Sequence, residues 1–251
     1  MKSLVRAVLL LGVISLILPS DAVMAQTPVP RFTFGIDAAE SPQEVAVSLQ
    51  VLFLLTVLSL APAILVMTTS FTRIIVVLSF VRSALATNQM PPNQVLIGLA
   101  LFMTFFVMAP TWNAVNESAL KPYLAQEISQ EEALARAMEP VREFMFKHTR
   151  ERDLALFIEM SGGERPNDES EVETAALIPA FIISELKSAF QMGFVLFIPF
   201  IVIDMIVAST LMSMGMLMLP PAMISLPFKI LLFVLVDGWH LISRSLLLGY
   251  Q

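Results

Sequence analysis

"SAFQMGFVLFIPFIVIDMIVASTLMSMGMLMLPP", residues 188–221, is the stretch on which the fold class turns. From Ser188 to Thr210 it carries one charge, Asp204. As a helix this is long enough to cross a hydrocarbon layer, which takes about 20 residues. It then runs into Met212, Met214, Met216 and Met218, alternating about Gly215 and closed by Pro220 and Pro221. Side chains two residues apart share a side on an extended chain and not on a helix. Glycine and paired prolines favour a loop. The four methionines are therefore expected to project one way from a turn between two apolar helices.

The return helix is residues 228–249. Residues 45–69 and 95–110 are two further apolar segments, the second expected to stop near Pro110. Across the chain 57% of residues are hydrophobic and 14% charged, with a mean hydropathy of +0.79. Soluble domains carry about 25% charged residues, so the composition is that of a membrane protein. The absence of cysteine excludes disulfides, thiolate metal sites and cysteine nucleophiles. A net charge of -6 argues against nucleic-acid binding.

At the start, Lys2 and Arg6 precede the apolar run "AVLLLGVISLIL", and Val23 and Ala25 offer small residues for cleavage. This predicts a signal peptide over 1–25; an uncleaved anchor is the other reading, against which the run is short for a span. Residues 26–44 then form a polar, proline-bearing periplasmic lead-in. Residues 45–110 form a first apolar hairpin whose basic linker, with Arg73 and Arg82, faces the cytoplasm under the positive-inside rule. Residues 111–187 hold most of the charges and are expected to fold as a small helical periplasmic domain. Ser129 and Glu132 mark a capping box there. Residues 188–251 form the second apolar hairpin, with the methionine loop on the cytoplasmic side. The expected fold class is an all-α membrane protein of about four apolar helices, some kinked.

Charges inside apolar segments point to partners, because each costs at least about 2.5–3.5 kcal/mol at bilayer depth. Asp204 and Lys229 flank the methionine turn and can meet across a hairpin; otherwise Lys229 snorkels to a headgroup and Asp204 faces another subunit. Asp204 and Asp237 lack the Tyr-Asp and Gly-x-Gly-Asp contexts of intramembrane aspartyl proteases, and no zinc motif, nucleophile elbow or phosphate loop occurs. No enzyme and no cofactor is expected. The methionines themselves admit three roles: apolar filler, soft ligands for copper(I), or a ring of compliant side chains closing a hole between copies. Phe144 and Phe157 either build the core of the charged segment or, with Glu185, anchor contacts between copies.

Four blocks carry a closer resemblance: "MTTSFTRIIVVLSFVRSALATNQMPPNQVLIGLALFMTFFVMAP", "EPVREFMFKHTRERDLALF", "ELKSAFQMGFVLFIPFIVIDMIVAS" and "PPAMISLPFKILLFVLVDGW". The chain, from about residue 45 to its end, resembles the type III secretion export-gate family, in its flagellar branch. One departure is Ala86, where the family pattern expects glycine. The resemblance implies about five copies of the chain assembling with FliQ and FliR, near FlhB, FlhA and FliO, in the inner membrane at the flagellar basal body. Unfolded flagellar subunits would pass through the centre. It also implies that the methionine run is a gasket, centred on Met216 and Met218. A small-molecule or ion transporter is the alternative, which would need a dedicated ligand site at the midplane.

Overall fold

The computed structural model describes residues 42–87, 89–162, 166, 168–216 and 218–250. The expected signal peptide and most of the lead-in lie outside the described residues, as does Leu217. Among the described residues every regular element is helical. The described residues from Phe53 onward form one compact unit.

α1 runs Pro42–Met67. The hydroxyls of "TTSFT" bond the carbonyls of its last turn: Thr69 Oγ1 donates to Leu65 O at 2.8 Å, Thr72 Oγ1 to Val66 O at 3.2 Å, and Thr68 Oγ1 to Ile64 O at 2.9 Å beside the Thr68 N–H. Every side chain from Ser48 to Leu60 is exposed, although most are apolar.

The next segment departs from the expected linker. Residues 71–84 form α2 (Phe71–Ala84), with Ile74, Val77, Leu78 and Val81 at most 1% exposed. Their i, i+3, i+4, i+7 spacing is one face of a helix, and that face lies in the core. α2 ends where Ala86 takes a left-handed φ of 58°. α3 (Asn93–Val115) passes through Pro110 instead of stopping there, and a wide π turn over Asn116–Leu120 carries it into the short α4 (Lys121–Leu124). α3 packs chiefly on α2 and α5. The first two apolar helices are thus joined by a buried core helix, not by a solvated connection.

α5 (Gln130–His148) opens on Ser129, whose Oγ accepts from Glu132 N at 3.2 Å. Glu131 and Glu132 sit in its first turn and Lys147 in its last, each suited to its end of the helix dipole. α6 (Glu151–Met160) follows at once. α7 (Thr174–Ser213) is one helix of 40 residues with Pro179 and Pro199 inside it. At 1.5 Å per residue it is about 60 Å long. It runs through residue 187, so the charged segment and the second hairpin share a helix. α2, α5, α6 and α8 all pack on it. At Gly193 the approach of α2 is so close that a Cβ would lie 2.4 Å from the Phe80 ring.

α8 (Pro221–Leu235) and α9 (Gly238–Leu248) are bent by 62° at Val236 and Asp237. Asp237 is exposed at this break, with a left-handed φ of 49°, so its charge is not inside a continuous span. Three described helical stretches are long and apolar enough to cross a membrane, Ser48–Met67, Asn93–Leu124 and Thr174–Ser213, and the bent pair makes a fourth if it is one span.

Candidate functional site

α7 carries three polar clusters, and each fastens a different partner. The first lies at the α6 end. Ser184 Oγ donates to Asp153 Oδ2 at 2.9 Å, and the Lys187 ammonium holds the other oxygen. Arg150 adds its backbone N–H to Ser184 Oγ at 3.0 Å and its guanidinium to Gln191 Oε1 at 2.7 Å. Burial alone would raise the Asp153 carboxyl; the bonds from Lys187 and Ser184 outweigh it and hold the pKa below the ordinary value.

The second cluster is fully internal. Glu185 is 0% exposed and Arg73 is 6%. The Arg73 guanidinium donates to one Glu185 oxygen and the Tyr250 hydroxyl to the other. Arg73 also donates to Gly249 O at 3.0 Å and lies 4.0 Å over the Tyr250 ring. Phe144 stacks on that ring at 6.0 Å and meets Phe181 edge-on at 5.9 Å. His148 meets Tyr250 at 4.9 Å. Phe144 and Glu185 thus both make contacts inside their own chain. Phe157 is half-buried on α6.

The third cluster supports the methionine turn. Lys229 Nζ donates to Asp204 Oδ2 and Ser225 Oγ to Asp204 Oδ1, both at 2.6 Å. The Lys229 side chain is 3% exposed and that of Asp204 37%. The pair joins α7 to α8 about 14 Å below the end of α7, counting 1.5 Å per residue. Between the same helices, beyond the pair, lies an apolar groove of about 450 Å³ lined by Ile203, Ile206, Leu211 and Phe228, with Thr210 its one polar side chain.

The turn is not the extended array its alternation suggested. Met212 is still in α7 and Met214 caps it with helical φ and ψ. Two residues apart on a helix is about 200° of rotation, so these two do not share a side. Gly215 then takes φ 77°. Gly215 N donates to Met212 O and Met216 N to Leu211 O, both at 3.0 Å, which is the Schellman closure of a helix end. Past Gly215 the backbone leaves the helix path, with Met216 still tied to it by that bond. Met216 is half-buried, and Met218 is 98% exposed, at the tip. Met212 and Met214 are exposed on the flanks. No group of three or more His, Cys, Asp or Glu side chains able to hold a metal occurs among the described residues.

Sequence reading brought Asp204 and Lys229 forward but missed Arg73, Tyr250, Ser225, Asp153 and Lys187. Arg73 had a signal: it lies on the same helical stripe as Val77 and Val81, which are buried.

The family model described as the FliP family matches residues 54–246. The flagellar biosynthetic protein FliP of Bacillus subtilis (strain 168) is 59% identical over 216 residues, covering 86% of this chain and 98% of its own. Those of Pectobacterium carotovorum subsp. carotovorum and Caulobacter vibrioides are 52% and 51% identical, covering 93% and 94% of this chain and 89% and 86% of their own. On this evidence the chain belongs to the FliP family.

Proposed function

We propose that this chain is a core subunit of the flagellar protein-export gate, in which its methionine turns close the channel used by unfolded flagellar subunits. The observation that carries the reading is the α7–α8 hairpin. Its stem is fixed by Asp204, Ser225 and Lys229, and its tip presents Met218 almost fully exposed, with Met216 beside it. An unbranched thioether repacks easily; a ring of them seals by bulk and yields when a chain passes. One copy makes no ring. The broad apolar faces of α3 and α7, including Phe102, Phe106, Phe194 and Met205, supply surface for lipid or for further subunits. About five copies, with FliQ and FliR and in contact with FlhB, FlhA and FliO, would form the gate in the inner membrane at the basal body. The chain acts by structure, without a cofactor.

The transporter alternative gains nothing from the groove between α7 and α8, whose lining is apolar apart from Thr210. Small-ligand sites place several convergent polar groups in such a pocket. Ion conductance across membranes that carry the complete gate tests the proposal. Met216→Ala with Met218→Ala should raise conductance, and leucine at both positions should restore most of the seal, since its volume is close to that of methionine. Equal conductance in the alanine variant and the parent would remove the gasket role. The mass of the gently solubilised complex is the companion measurement: a monomer or dimer would favour the transporter.

A further inference from the structure

α9 is held at its two ends and thinly in between. Its start is a break in the helix ladder. Val236 and Asp237 close back on Leu232 and Val234 carbonyls, and α9 begins afresh at Gly238 after the left-handed Asp237. Element-terminal residues of this kind are where hinges absorb their change in φ and ψ. Upstream of the break, α8 is fastened to α7 by Lys229 and Asp204.

The middle of α9 places Ile242 and Leu246 in the core, at 3% and 0% exposure. An open, mostly apolar cleft of about 290 Å³ borders their seat, lined by Val77, Met192, Leu196, Ile242 and Leu246 among others.

The far end is where α9 is secured. Tyr250 donates to Glu185 and to Ser70 O, the latter at 3.3 Å, and Gly249 O accepts from Arg73 at 3.0 Å. The Tyr250 ring is packed by Arg73, Phe144 and His148. One residue thus touches α2, α5 and α7 together.

We propose that α9 is a strap, latched by Tyr250 onto the buried Arg73–Glu185 pair, and that it opens as a unit about the Val236–Gly238 elbow when the latch is released. This goes beyond the gate reading and does not rest on it. Each latch bond sets a neutral hydroxyl or carbonyl against one charged partner, whereas the α8 end is an ion pair with charge on both sides. The Tyr250 end is the one taken to open.

The chain has no cysteine, so a single engineered thiol reports on one place. Full-length chain carrying Leu246→Cys is treated in membranes with a small permeant maleimide, with Tyr250 intact and with Tyr250→Phe. The phenylalanine keeps the ring and removes the bonds to Glu185 and Ser70. Labelling at 246 should accelerate about tenfold or more, the loss expected when a hydrogen bond to a charged group is removed. Leu177→Cys, also at 0% exposure but in the α7 core, is the control and should label equally slowly in both backgrounds. Unchanged labelling at 246 would overturn the latch. Equal acceleration at 246 and 177 would overturn it too, because Tyr250 would then be holding the whole fold and not one strap.

Discussion

Asp204→Ala and Lys229→Ala remove the two halves of one ion pair, yet they should not cost the same. The Lys229 side chain is 3% exposed and the Asp204 side chain 37%. Without Asp204, the ammonium is left in a closed apolar site. Stranding a buried charge in this way costs about 3–5 kcal/mol. Without Lys229, Asp204 keeps the Ser225 hydroxyl at 2.6 Å and a path to the surface. That loss is nearer the worth of one charge-assisted hydrogen bond, about 1.5–3 kcal/mol. Asp204→Asn combined with Lys229→Met leaves neither charge behind and should recover most of the stability, since a buried pair replaced by groups of similar volume is often neutral. The charge-swapped pair should recover part of it, because Ser225 can turn from donor to acceptor.

The assay is the thermal midpoint of the full chain in mild detergent, followed by loss of soluble protein. In a chain of this size each kcal/mol moves a midpoint by about 2–4 °C. Asp204→Ala should then fall by on the order of 10 °C and Lys229→Ala by about half as much. Motility should fall in the same order. A Lys229→Ala midpoint as low as that of Asp204→Ala would refute the reasoning, because exposure would no longer predict which charge is stranded.

Three further outcomes follow from the packing and the charges. Gly193→Ala should cost about 1–3 kcal/mol as an overpacked contact, since the new Cβ would stand 2.4 Å from the Phe80 ring; Phe80→Leu in the same chain should return most of it, and an unshifted midpoint for Gly193→Ala would contradict the close approach. Ala86→Gly should raise the midpoint slightly, because an L-residue in the left-handed region costs about 1–2 kcal/mol and glycine's greater freedom when unfolded takes back about 0.4–1. His148, whose pKa is lowered from 6.5 to about 4 by burial first and then by Arg73 and Lys147, makes stability pH-dependent. Between those values the unfolded chain binds the extra proton, so stability is complete above 6.5 and declines as the pH falls toward 4. His148→Gln should flatten that part of the pH profile of the midpoint, and an identical slope in both proteins would assign the acid sensitivity elsewhere.

The helical class and the apolar segments were legible because hydrophobic length is a direct consequence of the bilayer. The capping Ser129 was legible because its chemistry is local. Where reading went astray, a local signal was weighed without its register. Pro110 reads as a stop, yet α3 runs on through it. Alternating methionines suggest an extended array, but "SMGM" is also what a helix end looks like when its glycine is the left-handed residue after the cap. The hydrogen bonds from Gly215 and Met216 back into α7 show that second meaning. The candidate closure is correspondingly smaller than four methionines: Met216 and Met218 lie beyond the helix, while Met212 and Met214 belong to its last turn.

Arg73 shows how register would have carried further. Two arginines in residues 70–94 suggested a connection facing water. On a helix, however, 73, 77 and 81 fall on one stripe, and Val77 and Val81 are apolar. An arginine on the buried stripe has to find an acid, because a lone charge in the core is too costly. Between Thr174 and Ile203 the sequence offers one acid, Glu185. A pairing of α2 with α7 through Arg73 and Glu185 is thus one that the sequence allows and the structure contains. The same logic constrains what Glu185 can do. Arg73 holds one of its oxygens and Tyr250 the other. A partner that takes the place of Tyr250 on Glu185 would free the end of α9. Substitutions at Glu185 should therefore speed labelling at Leu246→Cys as Tyr250→Phe does, while the buried Arg73 charge they strand also speeds labelling at Leu177→Cys, which Tyr250→Phe does not.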